Sequence, residues 1–343
     1  MLDSLGMWDA ALAFPEQVAR AAETFEQGID GLPERERVSN ILAIGMGGSG
    51  IAGDVLSVVA GPFVPVPITV SKDYELPGFV GERTLVFALS FSGNSEEVVE
   101  GVTEAAALGA HVVMVCEGGE LARLAAEWGR PVLPIPSGIP MPRAGLGALA
   151  VPPLLALEQI GLFPGARGWV QAAIEQLTRR RDQLAAAGNP ADALARRIGR
   201  TIPLVYGAGP IGGVAAMRWK YDVNENAKAP AFYNRVPELC HNEVAGWGQH
   251  GDVTRQVLTI VNLRHDHEHP HLARRFELMS SLEDEVVASI ESVRAEGDGP
   301  LAQLFDLILF GDVMSLAMAD HAGVDPGPIA ALDFIKESLS GSH

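Results

Sequence analysis

Leu85-Val86-Phe87-Ala88-Leu89-Ser90-Phe91-Ser92-Gly93-Asn94-Ser95-Glu96-Glu97 reads as an apolar strand running into three serines around a Gly-Asn pair, then into a helix. A buried strand needs such a continuous apolar run, and Gly-Asn is turn chemistry. Three hydroxyls beside the free N–H groups of a helix start suit a dianionic phosphomonoester. The bland alternative is an ordinary turn with Ser95 as helix N-cap.

Working outward, the same strand–loop–helix unit recurs. Residues 40–44 form a strand, Gly45-Met46-Gly47-Gly48-Ser49-Gly50 a glycine loop, and 51–60 a helix. Strands follow at 67–70, 84–89, 110–115 and 132–135, with helices at 96–108 and 120–128 between them. Residues 150–200 read as long helices. The pattern then restarts with a strand at 202–206, the loop Gly207-Ala208-Gly209-Pro210 and a helix at 214–223. Strands at 256–263 and 286–290 and helices at 270–279 and 300–321 complete it. Such alternation predicts an α/β fold of two doubly wound parallel-sheet subdomains, flavodoxin-like in topology, with extra helices. The expected division is an N-terminal helical arm at 1–35, a first subdomain at 36–165, a helical connector at 166–195, a second subdomain at 196–330, and a tail at 331–343.

The bulk numbers narrow the function classes. With 343 residues and 48% hydrophobic content the chain is long and apolar enough for a sizeable core. Its formal charge of −18 argues against a nucleic-acid partner, which needs clustered cations. Two cysteines, Cys116 and Cys240, make neither a disulfide framework nor a zinc set. Residues 1–6 lack the basic region of a signal peptide, and no charge-free apolar stretch of 18 residues reads as a membrane span. A soluble protein in a reducing, cytoplasmic setting is expected.

Two further stretches carry chemistry. Asn224-Glu225-Asn226-Ala227-Lys228 holds a carboxylate among amides, and Glu238-Leu239-Cys240-His241-Asn242-Glu243 presents an imidazole able to move protons near neutral pH. Arg143, in Pro140-Met141-Pro142-Arg143-Ala144-Gly145, offers a permanently charged planar donor for an oxyanion. The glycine loop also matches G-x-G-x-x-G, with Asp73 and Glu75 near the ribose-binding distance, so a dinucleotide site is a rival reading. His265-Asp266-His267-Glu268-His269-Pro270-His271 invites a metal, but it follows a strand directly and ends at a helix start, so a solvated loop is the preferred reading.

Strand–Ser-x-Ser-Gly-Asn-Ser–helix resembles the signature of sugar isomerase (SIS) domains. With Asn224-Glu225-Asn226-x-Lys228, His241-Asn242-Glu243 and Lys336 near the tail, the chain resembles the bifunctional phosphoglucose/phosphomannose isomerases from Gly45 to Lys336. Ser95 stands where that motif usually has threonine, and it keeps the hydroxyl. The resemblance implies that Gly48, Ser49, Ser90, Ser92 and Ser95 hold a sugar phosphate. It implies Glu225 as the base, Arg143 as the oxyanion partner, and His241 and Lys336 as the ring-opening groups, with no cofactor and no metal. It further implies a homodimer in which His241 comes from the partner subunit. The expected activity is aldose–ketose isomerisation of glucose 6-phosphate and mannose 6-phosphate with fructose 6-phosphate. A non-catalytic sugar-phosphate-binding SIS module is the alternative.

Overall fold

The computed structural model of the protein describes residues 2–340. Two short helices, α1 (Met7–Leu12) and α2 (Phe14–Glu23), replace the single arm expected over 1–35, because the chain breaks at Ala13 and loses helical bonding after Thr24. The first sheet then forms from β1 (Asn40–Gly45), β2 (Ile68–Ser71), β3 (Thr84–Leu89), β4 (His111–Cys116) and β5 (Val132–Pro134). Helices α3 (Gly47–Ala60), α4 (Glu96–Ala107) and α5 (Gly119–Trp128) connect them. All pairings are parallel, in the order β2-β1-β3-β4-β5. That is the flavodoxin-like order, whose ligand crevice lies between β1 and β3.

Helices α6 (Leu146–Ile160), α7 (Ala166–Leu184) and α8 (Pro190–Ile198) lead to the second sheet. It comprises β6 (Ile202–Ala208), β7 (Phe232–Val236), β8 (Leu258–Arg264) and β9 (Ser289–Arg294), with α9 (Gly209–Glu225), α10 (Gly251–Val257) and α11 (Pro270–Glu283) between them. Its order, β7-β6-β8-β9, repeats that of the first sheet without a fifth strand. Three elements depart from expectation, the first being β9, which covers Ser289–Arg294 rather than 286–290. Strand β7 was not foreseen, because Phe232-Tyr233-Asn234-Arg235-Val236 is a half-polar edge strand with exposed aromatics. Residues 256 and 257, expected to open the strand at 256–263, instead close helix α10, and β8 begins at Leu258.

Helix α12 (Pro300–Ala322) is mostly apolar, carries a few buried polar groups, and packs against α7, α8 and α9. It is long and apolar enough to cross a membrane, which the sequence reading did not anticipate. Its most apolar window lies wholly inside the fold, the mark of a core helix. Helix α13 (Ala330–Ser340) closes the described chain. One continuous apolar core runs from β1 and α3 through α6, α7 and α9 to α12, so the two sheets flank a shared helical layer. Helix α3 also packs on α9.

Candidate active site

Both loops singled out in the first half lie at the carboxyl edge of the first sheet, flanking the β1/β3 crevice. The first is forced by close packing. A Cβ on Gly50 would lie 2.6 Å from the Gly45 carbonyl oxygen, and one on Gly48 would lie 3.4 Å from the Arg143 Cα. Helix α3 begins without a side-chain cap, leaving its first N–H groups to other acceptors. Ser49, buried in the first turn, accepts a hydrogen bond from Phe91 N at 3.2 Å and so ties the two loops together.

The second loop is equally constrained. Gly93 has φ +71°, and a Cβ there would lie 1.9 Å from the Gly118 carbonyl oxygen. Ser95 occupies the N-cap position of α4, yet its hydroxyl does not cap. It sits 3.0 Å from the Ser90 hydroxyl, while Ser92 Oγ accepts from Asn94 N at 3.2 Å. The three hydroxyls and two uncapped helix starts thus share one sheet edge, the arrangement a dianionic group favours.

Glu225 is the last residue of α9, and its carboxylate oxygen lies 3.7 Å from Arg143 Nη1. Arg143 is buried, not the surface arginine that its loop position allows. Its Nε donates to Asn226 Oδ1 at 2.8 Å, and its Nη2 donates to the carbonyls of Pro326 and Gly327. Among the described residues Nη1 makes no hydrogen bond of its own. Burial lowers the guanidinium's pKa, opposed by the charges of Glu225 and Asp222, but an arginine stays protonated. Asn226 in turn donates to Ser315 on α12 at 2.9 Å.

Beneath lies a buried charge group that sequence reading missed. Arg218 donates to the Arg143 carbonyl at 2.7 Å and pairs with Asp222 at 2.8 Å and Asp312 at 3.0 Å. Burial raises the Asp222 carboxyl well above its usual range despite Arg218. A cavity of about 20 Å³, lined in part by Arg143, Arg218, Asn226 and Asp312, adjoins this group. Lys228, at φ 55°, donates to the Glu225 carbonyl and to the Pro326 carbonyl at 3.0 Å. Arg143 and Lys228 therefore root the segment that leads into α13. Lys336 falls within α13; its side chain lies outside the described residues.

His241 is placed elsewhere. Helix α9 runs from the carboxyl end of β6 back toward the strand starts, so Glu225 stands at the amino edge of the second sheet. Strand β7 then returns, with Val236 opposite Ala208, and His241 follows in the 3-10 turn Glu238–His241 at the carboxyl edge. A 17-residue helix spans about 25 Å, so one chain holds these two residues at opposite edges of a sheet. His241 is exposed there.

Among the described residues, the carboxyl edge of the second sheet has no hydroxyl-lined loop of its own. The counterpart of 90–95 follows β8 and carries Asp266 and Glu268, paired with Arg294 and Arg264 respectively. His265 is buried with Nε2 2.8 Å from the Ala208 carbonyl oxygen, and His269 caps α11. Among the described residues no group of three or more His, Cys, Asp or Glu is placed to hold a metal ion. Asp73, the rival ribose ligand, is exposed and accepts from its neighbour Tyr74 N.

Residues 187–339 match the family model for the bacterial phospho-glucose isomerase C-terminal SIS domain, and residues 36–129 match the SIS domain. Over 338 residues the chain is 32% identical to the bifunctional phosphoglucose/phosphomannose isomerase of Caldicellulosiruptor bescii, covering 97% of this chain and 99% of that protein. It belongs to this family. The bifunctional phosphoglucose/phosphomannose isomerase of Aquifex aeolicus is 33% identical over 87% of this chain and 90% of its own length. The fold is shared more widely: tagatose-6-phosphate ketose/aldose isomerase from Escherichia coli superposes with a TM-score of 0.71 at 14% identity, covering 94% of this chain and 95% of that one. The SIS fold of the family accounts for the two parallel sheets, and the order of the first is not that of a dinucleotide-binding sheet.

Proposed function

We propose that this protein interconverts glucose 6-phosphate, and mannose 6-phosphate, with fructose 6-phosphate as a cytoplasmic homodimer. The observation that carries the reading is the Glu225–Arg143 pair, 3.7 Å apart, beside an edge of hydroxyls and uncapped helix starts. Gly48, Ser49, Ser90, Ser92 and Ser95 take the phosphate end of the hexose, and Glu225 faces the carbonyl end.

In the open-chain aldose, Glu225 removes the proton from C2, and the electron pair moves toward the carbonyl oxygen to give a cis-enediolate. The proton on O2 passes to O1, and returning the C2 proton to C1 then gives the ketose. Arg143 supplies a fixed positive charge beneath the carboxylate, preorganised by Asn226 and the 326–327 carbonyls, for the negative charge that develops on oxygen. Ring opening precedes this. The anomeric hydroxyl loses a proton, the bond from the anomeric carbon to the ring oxygen breaks, and that oxygen gains a proton. His241 of the partner subunit and Lys336 are the groups for that transfer. The opposite-edge placement of Glu225 and His241 supports a site shared between two copies. The same geometry holds for both C2 epimers once the enediolate has formed.

The test is fructose 6-phosphate in deuterium oxide, followed by NMR for both aldoses and for deuterium at C2. Formation of deuterated glucose 6-phosphate and mannose 6-phosphate is expected. Saturable binding without either aldose would favour the non-catalytic module instead.

A further inference from the structure

Glu243, two residues beyond His241, has no part in the chemistry above, yet it makes the most constrained contacts of its segment. One carboxylate oxygen accepts from the Tyr206 hydroxyl and the other from the Asn234 side-chain amide. Tyr206 is fully buried in the central strand β6, and Asn234 lies on the adjacent strand β7. Burial and the neighbouring Glu243 charge keep the phenol protonated and therefore a donor. On the other side of His241, Leu239 is fully buried and Cys240 Sγ lies 3.3 Å from Met279 Sδ. Asn242 braces the turn from within, donating to Glu238 at 3.2 Å and accepting from Glu243 N at 2.6 Å. The exposed imidazole is thus suspended between two anchors fixed to the sheet, one apolar and one charged.

We propose that Glu243, clamped by Tyr206 and Asn234, is a positioning residue that sets the angle at which His241 leaves the second sheet toward the hexose ring held by a second copy. This rests on the shared-site isomerase reading. A carboxylate is suited to the task because its two oxygens accept from two different strands at once, which fixes direction as well as distance. Positioning errors near 1 Å cost about 100-fold in rate, so the anchor is worth having.

The inference separates ring opening from proton transfer, and two substrates read them apart. Fructose 6-phosphate must be opened; 5-deoxyfructose 6-phosphate, lacking the ring-forming hydroxyl, is permanently open. In Tyr206→Phe, which keeps the ring packing and removes one donor, kcat for fructose 6-phosphate should fall about 10- to 100-fold. Deuterium exchange into the open substrate should stay within twofold, and KM should hardly move. Asn234→Ala, at a half-buried position, should show the same split if Tyr206→Phe folds poorly. An equal loss on both substrates, or no loss on either, overturns the positioning role while leaving isomerase activity standing. A wild-type protein inert toward both substrates overturns the isomerase reading, and this inference with it.

Discussion

Glu283 offers a sharp test of how the His241 segment is supported. It is fully buried at the end of α11, neither carboxylate oxygen has a hydrogen-bond partner among the described residues, and its pKa is pushed up to about 7, chiefly by burial and then by the charge of Glu243. The folded state therefore keeps a proton there that the unfolded chain, near 4.5, releases. Stability is fully present below 4.5 and declines as pH rises toward 7, because the folded state binds the extra proton in that window. At 1.36 kcal/mol per pH unit the loss is about 3 kcal/mol. Glu283→Gln, nearly isosteric with the protonated acid, should be neutral at pH 4.5 and more stable than wild type by about 3 kcal/mol at pH 8. For a chain of 343 residues that corresponds to about 4 °C in Tm. Differential scanning fluorimetry of both proteins from pH 4.5 to 8 reads it directly. Two Tm curves that stay parallel throughout would refute the account of a buried, protonated acid.

Further outcomes bear on the site. Glu225→Gln should lower kcat about 1,000-fold while calorimetric affinity for fructose 6-phosphate stays within a few-fold, since the proposed base is lost and the loops proposed to hold the phosphate are not. Arg143→Lys keeps the charge but loses the fork to Asn226 and the 326–327 carbonyls. Turnover should drop about 10- to 100-fold, and limited proteolysis should release α13 sooner. Gly93→Ala forces a methyl onto the Gly118 carbonyl at positive φ, at a strain of about 1–3 kcal/mol. Its KM for the sugar phosphate should rise well beyond any change in kcat.

Much of this was legible before any coordinates. Residues 85–97 carried the strand, the turn and the helix start together, because a buried strand must be apolar and a tight turn at a helix start must be small and polar. The strand–helix alternation then fixed a parallel sheet. Arg143 and Glu225 were readable as candidates, and they lie 3.7 Å apart, but the burial of Arg143 was not readable. That burial arises where residues 226, 326 and 327 converge, and no local pattern encodes their meeting. Arg218, Asp222 and Asp312 were missed for the same reason: each looks like a helix-surface charge until α9 packs on α12. Strand β7 escaped because an edge strand needs only one apolar face. Ser95 could be read as a cap from its position, whereas its hydroxyl turns to Ser90 instead.

The antipodal placement of Glu225 and His241 has a genetic consequence on the proposed pairing. In that pairing each polypeptide would keep its proton-shuttling acid at home and lend its imidazole abroad. A cell carrying one allele damaged at each position would assemble mixed pairs in which one catalytic centre is doubly broken and the other is wholly intact. Two null alleles would then complement each other, as alleles of a self-contained monomer could not.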